Sequence, residues 1–209
     1  MPTRNRVTAL FFAGLAVLLP TVPPAGAFAP AGGETAAQAG APAEAPLPTE
    51  TQSAALPEVL YDLSILPEPV ARLRQEIIAA ALTGDIDKLR PILKANGVTP
   101  VFSFGGDTDA IRFWKEVSGD GEGREVLAIM IEVFEAGFVH IKHDGRDDIY
   151  VWPYFAELPL ESLTAAQQVE LYKLVTAQDV KDMEAFGAYI FYRAGITPDG
   201  QWQFFVAGD

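Results

Sequence analysis

The sequence predicts an α+β domain in which a small, mainly antiparallel sheet is packed with several helices. Segments with helical periodicity and segments with strand alternation follow one another without the regular strand–helix–strand order of a parallel sheet. Two pairs of predicted strands are separated by Asp-Gly turns, at Asp144-Gly145 and Asp199-Gly200, which favour antiparallel hairpins. The 209 residues include no cysteine, so an apolar core must hold the fold without disulfide bonds.

The first 27 residues have the composition of a cleavable signal peptide. Two arginines precede the apolar run 7–19, and small residues follow at 25–27. Cleavage after Ala29 is the poorer alternative, because Pro30 would then begin the mature chain. A retained membrane anchor is the other alternative, but 13 apolar residues are too few to span a bilayer comfortably. We therefore expect a periplasmic protein whose signal peptide is cleaved after Ala27.

Residues 28–56 are predicted to form a disordered linker. Ala, Pro, Gly, Thr and Glu dominate this stretch, and no apolar periodicity runs through it. Burial of so few apolar groups cannot offset the entropy lost on ordering the chain. A single globular domain is expected over 57–209.

The charge of the mature chain restricts its partners. Without the signal peptide the chain has 13 basic and 28 acidic residues, a net charge of −15. Such a surface repels nucleic acid phosphates and anionic lipids. We expect no nucleic acid partner and no membrane insertion of the mature chain, and solubility is the simplest account of the charge.

The domain is predicted to begin with two helices. Apolar residues recur on one face over 67–82, and Gly84 ends that helix. Asp85 caps the second helix, which Pro91 should kink or shorten. A short strand or extended segment is predicted at 98–104.

Two further helices are predicted at 109–117 and 124–136. The second is so apolar that only a stripe of Glu125, Glu132 and Glu135 remains for water. This pattern indicates a central helix that is packed on most sides.

The remaining elements are two hairpins and two helices. Strands are predicted at 138–142 and 149–155, and Pro153 should make the second an edge strand or introduce a bulge. Thr164 and Gln167 form a capping box, which predicts a helix. The last four elements are helices at 164–175 and 176–186 and strands at 188–194 and 201–207.

A metal site is one interpretation of the first predicted hairpin. Imidazole and carboxylate groups suit zinc or another divalent ion, and the hairpin contains His140, His143, Asp144, Asp147 and Asp148. Positions 140 and 143 point to opposite faces of a regular strand, however, so a solvated hairpin tip is the favoured reading. We expect no metal and no cofactor.

Acidic residues on the two Gly-rich turns suggest calcium as an alternative. Oxygen ligands on turns suit this ion, and the turns contain Asp107, Asp109, Asp120 and Glu122. Neither turn matches the twelve-residue calcium loop, and an aspartate before a helix is first of all a cap.

Hydrolytic chemistry would need paired carboxylates or an activated serine. Asp120, Glu122 and Glu157 are the candidate acids for cleavage of a glycosidic bond, although no spacing singles them out. Ser103 lies in Phe-Ser-Phe-Gly-Gly, which is not the strained elbow that exposes a nucleophile.

Aromatic side chains concentrate in the second half of the domain. On a sheet face they can stack on sugars or line an apolar pocket, although core packing accounts for most of such a set. The candidate ligand-contacting residues are Trp152, Tyr154, Tyr189, Phe191, Arg193 and Trp202.

Several stretches resemble an uncharacterised family of exported alphaproteobacterial proteins. They are SGDGEGRE (118–125), YVWPYFAELPLESLT (150–164), VELYKLVTAQD (169–179) and FGAYIFYRAGITPDGQWQFFVAGD (186–209). The resemblance covers 57–209 and implies an exported, intact domain without a known activity. A fainter similarity, in AALTGDIDKLRPIL (80–93) and DGQWQFFVAGD (199–209), is to NTF2-like (cystatin-like) domains, and it implies an NTF2-like cone with a pocket under a curved sheet.

The sequence favours a periplasmic, non-enzymatic binding or structural module of the cell envelope. Its ligand would be a glycan, a peptidoglycan fragment or an envelope protein. The alternative is a carboxylate-dependent hydrolase that acts on envelope glycans. An enzyme should bring acids with raised pKa together in a cleft, whereas a binder should present aromatic side chains in a groove.

Overall fold

The computed structural model describes residues 56–142 and 148–208 and confirms the α+β class. Within these ranges it has six α-helices and one four-stranded antiparallel sheet. The expected signal peptide and all but the last residue of the expected linker lie outside the described residues. The strands follow chain order across the sheet: β1 (Val139–Ile141), β2 (Ile149–Trp152), β3 (Arg193–Ile196) and β4 (Trp202–Val206).

The helices begin and end close to the predicted positions. Thr164 and Thr176 each form a reciprocal capping box, at the start of the last two helices. Pro91 lies in the first turn of a six-residue helix that follows a 3₁₀ turn, which agrees with the predicted kink or shortening. The helices are α1 (Glu68–Ala81), α2 (Arg90–Ala95), α3 (Ala110–Val117), α4 (Arg124–Glu135), α5 (Ala165–Leu174) and α6 (Ala177–Phe186).

Helices cover both faces of the sheet. Tyr150 and Trp152 of β2 pack with the apolar side chains of α1, α3 and α4. Val151, between them, packs instead with side chains of α5 and α6. Alternate residues of a strand point to opposite faces, so two apolar clusters form, one on each side of the sheet.

The segment predicted as a strand at 98–104 is not one. Only Val101 pairs with β4, donating to the carbonyl of Gln203 (2.8 Å) and accepting from the amide of Phe205 (2.9 Å). Pro100 has no amide hydrogen with which to extend this pairing. An isolated antiparallel bridge joins Leu60 to Phe138 at the start of β1, so each edge strand of the sheet has one additional paired residue next to it.

The strand predicted at 188–194 begins only at Arg193. Its partner β2 ends at Trp152, which lies opposite Ala194, and Pro153 then leads into a 3₁₀ turn. Residues 188–192 therefore have no neighbouring β2 residues to pair with. Of the candidate residues Tyr189, Phe191 and Arg193, which the predicted strand would have placed on one face, only Arg193 is in a strand.

Candidate functional site

A groove runs between α4 and α5. It consists of two adjoining depressions of about 360 and 470 Å³, which share Glu132, Lys173 and Leu174 in their walls. We call it the α4–α5 groove. Its lining combines apolar side chains with five carboxylates and one ammonium group.

The α4 wall is the polar stripe that the sequence predicted for water. Glu125, Ala128, Glu132 and Glu135 recur at helical spacing and are exposed on one face of α4, and the half-buried Ile129 lies beside them. The prediction that this stripe stays exposed is confirmed. Periodicity contained no signal that another helix would lie alongside and turn the stripe into a wall.

The α5 wall is formed by a helix with apolar side chains on both sides. Leu171 is buried in the domain, whereas Tyr172 is 52% exposed and lies along the groove. Glu170 and Lys173 add charges to this wall. The helix therefore has an apolar residue available to a partner in addition to those that it uses in the core.

One end of the groove is lined by Tyr61 and Glu170, and the Glu170 carboxylate accepts hydrogen bonds from Tyr61 and from the buried Tyr154. The hydroxyl of Tyr154 donates to Oε2 of Glu170 (3.0 Å), and the hydroxyl of Tyr61 donates to the same oxygen (3.0 Å). The two tyrosine rings meet edge to face, with their centroids 6.2 Å apart. Burial raises the pKa of the Tyr154 hydroxyl well above its ordinary value, and the hydrogen bonds to Tyr61 and Glu170 add to the rise. Tyr154 therefore remains a donor at neutral pH and fixes the Glu170 carboxylate.

The other end of the groove is bordered by Phe191, Thr176 and Asp179. Phe191 is half-buried and is the one candidate aromatic residue whose ring lines the described groove. The hydroxyl and amide of Thr176 hold the pKa of Asp179 below its ordinary value, so Asp179 is a carboxylate that caps α6.

Carboxylates outnumber basic groups in the groove. Lys173 is the single basic residue among the residues that line the two depressions. The carboxylate of Glu132, at their junction, makes no hydrogen bond or ion pair with any described residue. The groove is therefore negatively charged, and its acidic residues are Glu125, Glu132, Glu135, Glu170 and Asp179.

Three other candidate aromatic residues are in the core. Trp152 is fully buried and stacks on Phe138, with ring centroids 5.1 Å apart. Trp202 is buried against Trp114 at 6.0 Å, and Tyr189 is buried with its hydroxyl donating to the carbonyl of Tyr192 (3.0 Å). These three side chains, and the ring of Tyr154, form no exposed aromatic sheet face. Arg193 is half-buried at the start of β3.

The hairpin histidine makes a local pair. Nε2 of His140 lies 3.1 Å from Oδ2 of Asp148, and its ring stacks on Tyr150 with centroids 4.3 Å apart. His143, Asp144 and Asp147 lie outside the described residues. Within 56–142 and 148–208, no three potential ligands come together around a point where a metal ion would fit.

The acids of the Gly-rich turns act as helix caps and ion-pair partners. Asp109 accepts from the amides of Ile111 and Arg112 at the start of α3, and Asp107 pairs with Arg112 (3.2 Å). Asp120 accepts from the hydroxyl of Ser118 and from the amides of Glu122, Gly123 and Arg124 at the start of α4. These hydrogen bonds hold the pKa of Asp120 below its ordinary value.

The surroundings of the candidate acids Asp120, Glu122 and Glu157 are not those of an acid–base pair. A general acid needs a raised pKa, whereas that of Asp120 is lowered. Glu122 and Glu157 are exposed, on the turn before α4 and in the 3₁₀ turn after β2. The Ser103 hydroxyl accepts from the amide of Gly105 (2.9 Å) in an ordinary turn.

The capping role of Asp120 predicts a pH-dependent effect of Asp120→Asn. A carboxyl whose pKa is lower in the folded protein stabilises the fold above its unfolded pKa of about 4. That stabilisation is lost as the pH falls through the lower folded value. We therefore expect the variant to melt below the wild type at pH 7, with the difference shrinking at pH 3 and below. Thermal melts from pH 2 to 7 test this, and a difference that is constant with pH would contradict it.

Comparisons with protein-family models, curated proteins and solved structures found no match to the chain. No helix in the described ranges has the length and apolar character needed to cross a membrane.

Proposed function

We propose that this protein is a non-enzymatic binding module of the cell envelope and that its ligand occupies the α4–α5 groove. The observation that carries the proposal is the junction of two depressions around Glu132, Lys173 and Leu174, which makes one continuous site. Apolar lining with a few convergent polar groups is the usual composition of a ligand site. The periplasmic location is inferred from the signal-peptide pattern of residues 1–27.

Two of the five groove carboxylates are held in a way that favours binding over hydrolysis. Glu170 accepts hydrogen bonds from two tyrosines, and Asp179 caps α6. Both groups are thereby committed to the architecture of the site. Asp120, a hydrolase candidate outside the groove, is committed to the start of α4.

The test is to map binding on the mature chain, residues 28–209, by nuclear magnetic resonance. Soluble peptidoglycan fragments, a chitin oligosaccharide and a basic peptide are the probes. We expect at least one of them to shift the amide signals of Ile129, Glu132 and Leu174. Chromatography of the two glycan probes after incubation should show no cleavage.

A pair of variants makes the mapping specific. Ala128→Trp fills the groove from α4 and should abolish the shifts, whereas Ala79→Trp places the same side chain on the exposed face of α1 and should preserve them. Cleavage products would support the hydrolase alternative instead. Shifts confined to other surfaces, or no binding by any probe, would overturn the groove as the site.

A further inference from the structure

We infer that the occupant of the α4–α5 groove is an extended peptide segment of a partner protein in which basic and apolar residues alternate. This inference rests on the proposed function and specifies its ligand. It draws on three properties of the groove: its charge, its apolar lining and its length.

The charge selects a cationic partner. Five carboxylates line the groove against the single ammonium group of Lys173. Opposite charges attract most strongly where water is partly excluded, and complementary charge governs which partners associate. Glu132 has no partner among the described residues, so a basic side chain of a ligand would not have to displace an existing ion pair.

The apolar lining requires more than charge from the ligand. Ala128, Ile129, Leu174 and Val175 line the groove between the acidic positions, and the ring of Tyr172 is half exposed beside them. Apolar anchors that enter such a lining supply much of the binding energy in protein interfaces. A ligand with charges alone would leave this surface in contact with water.

The length matches a short linear segment. Glu125 and Glu135 are ten residues apart on α4, which corresponds to about 15 Å along the helix axis. An extended peptide advances about 3.3 Å per residue, so roughly four to five residues cover that distance. Alternate side chains of an extended chain point in opposite directions, so one set can enter the apolar lining while the long, flexible basic side chains between them reach the carboxylates of the walls.

The experiment uses a seven-residue blocked peptide of alternating lysine and leucine, and a counterpart with glutamate in place of lysine. Calorimetry on the mature chain should detect binding of the lysine peptide, weakened by raising the salt from 50 to 300 mM because screening shortens the range of the attraction. The glutamate peptide should not bind.

Charge variants separate the groove from the overall charge of the protein. Glu132→Gln should lower the affinity for the lysine peptide about two- to fivefold, and Lys173→Glu should raise it by a similar factor. These factors are those expected of exposed charge pairs. Lys181→Glu is the control for Lys173→Glu, because it makes the same change in net charge at an exposed position of α6 that does not line the groove. It should have little effect on the affinity for the lysine peptide.

Two outcomes would overturn the inference. Equal strengthening by Lys181→Glu and Lys173→Glu would mean that the overall charge, and not the groove, attracts the peptide. The second outcome is that the lysine peptide does not bind, while a glycan probe still binds and Ala128→Trp still blocks the glycan. That result would contradict the peptide inference and leave the groove as the proposed binding site.

Discussion

Ending the chain after Gly200 is expected to yield an insoluble or molten protein, because the truncation removes β4. Trp202, Phe205 and Val206 of this strand are buried in the core. Each such side chain contributes about 1.5–3 kcal/mol through its burial, and a whole domain is stable by only about 5–15 kcal/mol. The truncation also removes one of the two strands that pair with β3, and with it the strand that pairs with Val101.

Asn96 adds a further connection that the truncation breaks. Its side-chain oxygen accepts from the amide of Trp202 (2.7 Å), and its side-chain nitrogen donates to the carbonyl of the same residue (3.0 Å). The loss of β4 removes both of these hydrogen bonds and leaves the half-buried side chain with the carbonyl of Val98 (2.6 Å) as its remaining partner, which adds to the destabilisation.

Near-ultraviolet circular dichroism and a thermal melt measure the effect. The truncated protein should lose its aromatic signals and its cooperative transition while keeping helical signals in the far ultraviolet. A chain that ends after Ala207 keeps β4 and is the matched control, expected to melt cooperatively. A cooperative melt of the shorter chain would show instead that the closing hairpin is dispensable for the fold.

Phe134→Ala is expected to lower the free energy of unfolding by about 3–5 kcal/mol. Phe134 is fully buried on α4 and packs against Trp152, with ring centroids 5.6 Å apart. The helix itself contacts α1, α3, α5 and β3, so the surroundings cannot easily close the cavity left by the ring.

Phe186→Ala is the matched control for this prediction. It deletes the same side chain at the end of α6, where the ring is 59% exposed, and should change the unfolding free energy by less than about 1 kcal/mol. Urea denaturation of the two variants gives both values. A cost below about 1 kcal/mol for Phe134→Ala would mean that α4 is not central to the core.

The helices were predictable because their signals are local. The caps at Thr164 and Thr176 and the apolar periodicity of α4 each depend on residues within a few positions of one another. The strands were less predictable, because a segment becomes a strand only where another stretch of backbone lies beside it to form hydrogen bonds. Residues 188–192 and most of 98–104 have suitable side chains but too little backbone to pair with.

The candidate aromatic residues illustrate a second limit. Their types and density were visible in the sequence, but Trp152 and Trp202 are core residues, whereas Phe191 lies along the groove. Strand alternation predicts which side chains share a face of the sheet. It does not predict whether a helix covers that face. In this fold helices cover both faces, so aromatic residues on either side of the sheet become buried.

The sequence by itself determined the acidic charge, the absence of disulfide bonds, the α+β class and the exposed glutamate stripe of α4, since these follow from composition and local periodicity. Only the tertiary structure decided that this stripe becomes the wall of a groove. Glu132 and Lys173 lie in different helices that are separated along the chain by β1, β2 and their turns. Their approach depends on how α5 packs beside α4, through the buried Leu171 and the half-buried Leu174, and no local pattern encodes that packing.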